Sequence, residues 1–80
     1  MNERDEIDAF CKNIKYLRIK NGVSKNEMAN IMHISMYCLT KIEKGILPPS
    51  LDFAVLFLIH AYFGVPPARL FSKIEENTDS

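Results

Sequence analysis

Net charge is the first thing this chain lacks: ten basic and ten acidic residues cancel over eighty positions. That excludes a polybasic coat or an acidic tail as its overall theme. Cysteine is nearly absent. Cys11 and Cys38 are the two there are, too few for a disulfide scaffold. No apolar run approaches the ~18 residues of a membrane-crossing helix. Residues 53–59 come closest, and Asp52 and His60 close that stretch. The first eight residues carry four acids and one Arg, the opposite of a signal peptide. The expectation is therefore reduced thiols, no membrane and a cytoplasmic location. Strand signals are weak too, since no segment alternates apolar and polar over six or more residues. Repeats and low-complexity stretches are likewise absent. Eighty residues make one small domain, which buries only about 60–65% of its unfolded surface. A pocketed enzyme with its own effector domain does not fit that size.

The zero net charge hides a pattern. Residues 1–8 carry −3, residues 9–44 carry +5 and residues 45–80 carry −2. The basic middle reads either as solvated helix faces or as a local field aimed at a polyanion.

Helical spacing runs through the whole chain. Ile7, Phe10, Cys11, Ile14 and Leu17 form one stripe at i, i+3, i+4, i+7. They predict a first helix over about 5–21, closed by Gly22 as a left-handed cap with Val23 packing back. Ser24 and Glu27 have the spacing of a capping box. They open a second helix that runs to about Met32, with Met28, Ala29, Ile31 and Met32 inward. His33-Ile34 breaks it. Ser35 caps a third helix over about 35–44, with Leu39 and Ile42 inward and Cys38 at the margin. Gly45 ends that helix, and Ile46 to Pro49 form a loop. Ser50 is the expected cap of a fourth helix, with Asp52 in its first turn. That helix runs to about Phe63 and stops at Gly64. Pro66-Pro67 opens a fifth, with Leu70, Phe71 and Ile74 inward. The ordered core is expected over about 5–74, and the polar tail from Glu75 is expected to fray.

The second and third helices are short and joined by a tight turn. That is the helix-turn-helix plan, in which the second of the pair enters a DNA major groove. Ala29 is small where two helices would cross, and Ile34, Leu39 and Ile42 can share a core. The capped start of the second helix offers N–H groups to a phosphate.

On these residues the chain resembles the phage-repressor and Cro-like helix-turn-helix family, often called XRE-type. The matching positions are Ile14, Leu17 and Arg18, then Gly22-Val23-Ser24, Glu27, Met28 and Ala29. Ile34-Ser35 and the run Leu39-Thr40-Lys41-Ile42-Glu43-Lys44-Gly45 follow. Pro49-Ser50-Leu51, Phe63-Gly64-Val65 and Leu70-Phe71 complete the pattern over about three quarters of the chain. The resemblance implies an all-α, five-helix, lambda-repressor-like domain that binds double-stranded DNA as a homodimer and regulates transcription. It implies DNA contacts from Lys25, Ser35, Met36, Tyr37, Thr40, Lys41 and Lys44, and a structural ion pair between Arg18 and Glu43. Four positions depart from the family pattern, and the fourth helix is about two residues longer than is usual there. Lys25 stands where Gln is usual, and His33 where Gly is usual in the turn. Met36-Tyr37 stands where amide or basic side chains are common.

Tyr37 and Lys41 are four apart and share a helical face. They read as a base-or-phosphate contact, or as an ordinary packed Tyr beside a solvated Lys. The fourth helix is apolar from Phe53 to Ile59, more than one helix face accounts for. A fully buried central helix explains this, and so does a dimer surface through Phe53 and Phe57. His33, Cys38 and His60 lack the spacing of a zinc site. No Cys–His pair has an orienting third group, and the Gly-Lys-Ser/Thr phosphate loop is absent. No metal, cofactor or catalysis is expected. The alternative from a different class is a protein-interaction or antitoxin-like module. It would keep the fold and bind a protein partner through the fourth helix, with weak or no specific DNA binding.

Overall fold

The computed structural model describes residues 3–49 and 51–72. It is all-α over those residues, with five helices in the order α1 (Glu3–Lys20), α2 (Lys25–Met32), α3 (Met36–Glu43), α4 (Ala54–Phe63) and α5 (Pro67–Leu70). α3 packs against both α1 and α2, α2 also packs on α4, and α5 joins α1 to α4. The core draws on every helix. Phe10, Cys11 and Ile14 come from α1, Met28, Ala29 and Met32 from α2, and Leu39 and Ile42 from α3. Val55 and Ile59 come from α4, and Leu70 from α5.

Local chemistry sets most boundaries. Ser24 Oγ accepts from the Glu27 N–H at 3.1 Å, and Glu27 Oε1 accepts from the Ser24 N–H at 3.0 Å. Both halves of the α2 capping box are therefore made. Ser35 Oγ accepts from the Cys38 N–H at 3.1 Å and starts α3. α1 closes on Gly22 at φ 65°, where the Val23 N–H reaches the Arg18 carbonyl at 2.9 Å. α2 closes the same way on a residue with a Cβ. His33 sits at φ 57°, and the Ile34 N–H donates to the Ala29 carbonyl at 3.0 Å. This is the Schellman geometry that glycine usually occupies.

The boundaries differ from the sequence expectation at both ends of the chain. α1 starts at Glu3, two residues earlier. α4 starts at Ala54 instead of just after Ser50. The cause lies in the preceding loop. The Leu51 N–H donates to the Pro48 carbonyl at 3.2 Å and closes a turn there. Asp52 Oδ1 then accepts from the Ala54 N–H at 3.0 Å and caps the helix. Ile31, expected inward, is half-buried. Phe71, expected inward, lies at the edge of the core and stacks on Phe10, with ring centroids 5.3 Å apart. Ser50, Ile74 and the tail from Glu75 lie outside the described residues.

Candidate nucleic-acid interface

α3 is gripped from behind and open in front. Leu39 and Ile42 bury one side of it. At 3.6 residues per turn, Met36, Tyr37, Thr40, Lys41 and Lys44 fall within an arc of about 140° on the other side. Met36, Tyr37 and Lys44 are exposed, and Thr40 and Lys41 are half-buried. Tyr37 is 71% exposed. The Lys41 ammonium lies 5.1 Å from the centroid of the Tyr37 ring, a cation–π contact between residues one turn apart. The two side chains thus present one composite group, an aromatic ring with a cation held over its face.

The acid in this stretch is turned away. Glu43 accepts from Arg18 Nε at 2.6 Å and from Arg18 Nη2 at 3.1 Å, a two-pronged pair between α1 and α3. The Arg18 side chain is 15% exposed and that of Glu43 4%. Arg18 Nη1 also donates to the Val23 carbonyl at 3.3 Å. The pair therefore ties α1, the α1–α2 turn and α3 together. With Glu43 neutralised and turned inward, no carboxylate remains on the outer arc of α3, and Lys41 and Lys44 set its field.

Lys25 and Ser35 are both exposed, at the starts of α2 and α3. The Ser35 hydroxyl is engaged in its cap. At the start of α2 the Glu27 carboxylate occupies the capping position. That carboxylate partly offsets the positive end of the helix, so an anion there would depend on the Lys25 ammonium.

The outer face of α4 is apolar and open. Phe53 is 81% and Phe57 68% exposed, with Ala54 and Ala61 exposed beside them. Val55 and Ile59 take the core side. A fully buried fourth helix is thereby ruled out, and the apolar run from Phe53 to Ile59 serves two surfaces.

Asn13 is the residue that sequence reasoning missed. Its amide nitrogen donates to the carbonyls of Leu70 at 2.7 Å, Ser72 at 2.8 Å and Arg69 at 3.3 Å. It supplies a donor to the Leu70 and Ser72 carbonyls at the end of α5 and holds that short helix against α1. Its place beside the apolar stripe of α1 was the available signal, since a polar side chain at the margin of a core face needs partners. Cys11 is a core residue, and burial, helped by the Asp8 carboxylate, pushes its thiol up. It stays protonated and serves as a small apolar side chain.

Among the described residues no three His, Cys, Asp or Glu side chains gather as a metal ion requires. No helix among them is long and apolar enough to cross a membrane. Comparison of the chain with protein-family models, with curated proteins and with solved structures gives no match.

Proposed function

We propose that the chain is a small cytoplasmic transcriptional regulator of the helix-turn-helix type, binding double-stranded DNA as a homodimer. In this arrangement α2, the turn at His33 and α3 form a lambda-repressor-like unit, and α3 docks in the major groove. The observation that carries the proposal is the outer arc of α3, which is open at Met36, Tyr37 and Lys44, cationic, and free of carboxylates because Glu43 is turned in onto Arg18. Lys41 reaches a base edge or phosphate, Tyr37 and Met36 pack against thymine methyls, and Thr40 bonds a nearby phosphate or base. Lys44 and Lys25 meet the backbone, Lys25 as a point charge at the start of α2, with Ser35 beside them. The mechanism is steric. Phosphate contacts fix the register, and a bound dimer blocks or recruits the polymerase. Pairing through the α4 face is what gives one small module a long enough site to be specific.

Duplex binding measured against salt tests this. Three lysines per copy predict a slope of log K against log salt of about −5 for the dimer. Between 50 and 200 mM salt that is a loss on the order of a thousandfold. A duplex affinity that is flat over this range, or no duplex binding at the lower salt, overturns the proposal.

A second reading is favoured by the same exposed Phe53 and Phe57 together with the apolar Met36-Tyr37 start of α3. The fold would then be a protein-interaction module, antitoxin-like, that binds a protein through α4. It requires no salt-dependent duplex binding at all.

A further inference from the structure

We infer that a cleft between the α2–α3 turn and α4 receives the Phe57 ring of a second copy, so that each member of a homodimer plugs the other beside its α2–α3 turn. The inference rests on the homodimer proposed above and says which surfaces meet. The cleft has a volume of about 360 Å³. Ile34 and Cys38 line it from the turn and α3, and Ala54 and Leu58 from α4. His33 and Asp52 are the charged or titratable groups at it apart from the Cys38 thiol. Its size exceeds the ~150 Å³ that holds a benzene ring in a closed apolar cavity, and Ile34, Ala54, Val55 and Leu58 give this open, partly polar cleft an apolar side for a phenylalanine ring.

The ring and the cleft lie on one surface. Ala54, Phe57, Leu58 and Ala61 follow i, i+3, i+4, i+7 along α4, a single stripe. Ala54 and Leu58 belong to the cleft wall, while Phe57 stands out of the same stripe into solvent. A projecting ring next to a hollow large enough to take it can be self-complementary under a two-fold axis. Two antiparallel α4 helices, brought close by Ala54 and Ala61, set each Phe57 over the other copy's Ala54 and Leu58. The stripe carries no charge, which suits a second copy of itself better than an acidic or phosphorylated partner.

The area agrees with a weak dimer. An aromatic side chain buries roughly 150–250 Å². The exposed portions of Phe53 and Phe57, with the surfaces they cover, therefore amount to on the order of 1,000 Å² over both copies, the lower bound for a specific interface. Assembly is then expected at micromolar protein, and DNA that holds two copies side by side strengthens it.

Cys38 reports directly on the cleft. Cys11 is buried in the core and stays silent, so the rate of reaction with a thiol-exchange reagent reads Cys38 alone. The full-length chain is followed from low to high micromolar concentration, with sedimentation run in parallel. The expected result is a Cys38 rate that falls about tenfold as nine tenths of the chains become dimeric. In Phe57→Ala, and in Ala54→Glu as a second variant at the cleft mouth, the rate stays fast at every concentration and the chain sediments as a monomer with unchanged helical content. A dimer in which Cys38 remains fully reactive overturns the inference while leaving the homodimer intact. A wild-type chain that is monomeric throughout overturns both. Neither readout contains DNA, so failure of duplex binding is a separate result.

Discussion

Removing Glu43 is the sharpest perturbation available, because it strands a charge. In Glu43→Ala the Arg18 guanidinium loses two hydrogen bonds, at 2.6 and 3.1 Å, and keeps one to the Val23 carbonyl at 3.3 Å. Breaking a fully buried pair in this way costs about 3–5 kcal/mol. Arg18 is 15% exposed, and its long stem lets the head move toward water, which brings the expected loss to about 2–3 kcal/mol. A domain of this size is stable by roughly 4–12 kcal/mol in total, so the loss is a large share. At about 4–8 °C per kcal/mol it lowers the melting temperature by roughly 10–20 °C. Urea unfolding followed by circular dichroism measures it, with the midpoint moving and the slope unchanged. The double variant Arg18→Met with Glu43→Leu should return to within about 1 kcal/mol of wild type, since it removes both charges and leaves apolar volume. A Glu43→Ala variant within about 0.5 kcal/mol of wild type refutes the reasoning, because surface substitutions behave that way.

Two further variants test other joints of the fold. His33→Gly should stabilise the protein by about 1 kcal/mol, because a residue with a Cβ pays for φ 57° and glycine does not; a lower unfolding midpoint would contradict this. Asn13→Ala should destabilise by about 1–3 kcal/mol, leaving the carbonyls of Leu70 and Ser72 to find water while that of Arg69 keeps the Ser72 N–H. Faster amide exchange around α5 should accompany it, and an unchanged melt would show that the clamp contributes nothing.

What was legible in the sequence was mostly short-range chemistry. Ser24 with Glu27, Ser35 before α3, and His33 in the turn each act over three or four residues, so spacing alone locates them. Arg18 and Glu43 are twenty-five positions apart, and they were paired through the family resemblance, not through any local signal. The start of α4 was misplaced because Ser50 and Asp52 are both good caps. The bonds seen there, from the Leu51 N–H to the Pro48 carbonyl and from the Ala54 N–H to Asp52, are not specified by residue type alone. The three bonds of Asn13 to the end of α5 span more than fifty positions, and nothing in a helical period announces them. The cleft beside the α2–α3 turn depends on how α4 lies across α2, which is a matter of packing. The outer arc of α3 could be listed from its period. That Lys41 lies against the Tyr37 ring, and that Glu43 is withdrawn from that side, are properties of the folded chain.

The central claim is that α3 contacts DNA through its outer arc, and Lys41 tests it most directly. The best duplex is first selected from a random pool with the wild-type protein, and binding of wild type and Lys41→Ala is then compared on it by fluorescence anisotropy. Lys41 is half-buried with its ammonium over the Tyr37 ring, so its removal leaves the core intact and changes only the presented face. The account predicts a loss of about 1–3 kcal/mol on that duplex if Lys41 reads a base, with a smaller loss on random sequence. A Lys41→Ala protein that is folded and binds the selected duplex as tightly as wild type contradicts the account, because α3 would then not be the element that meets DNA.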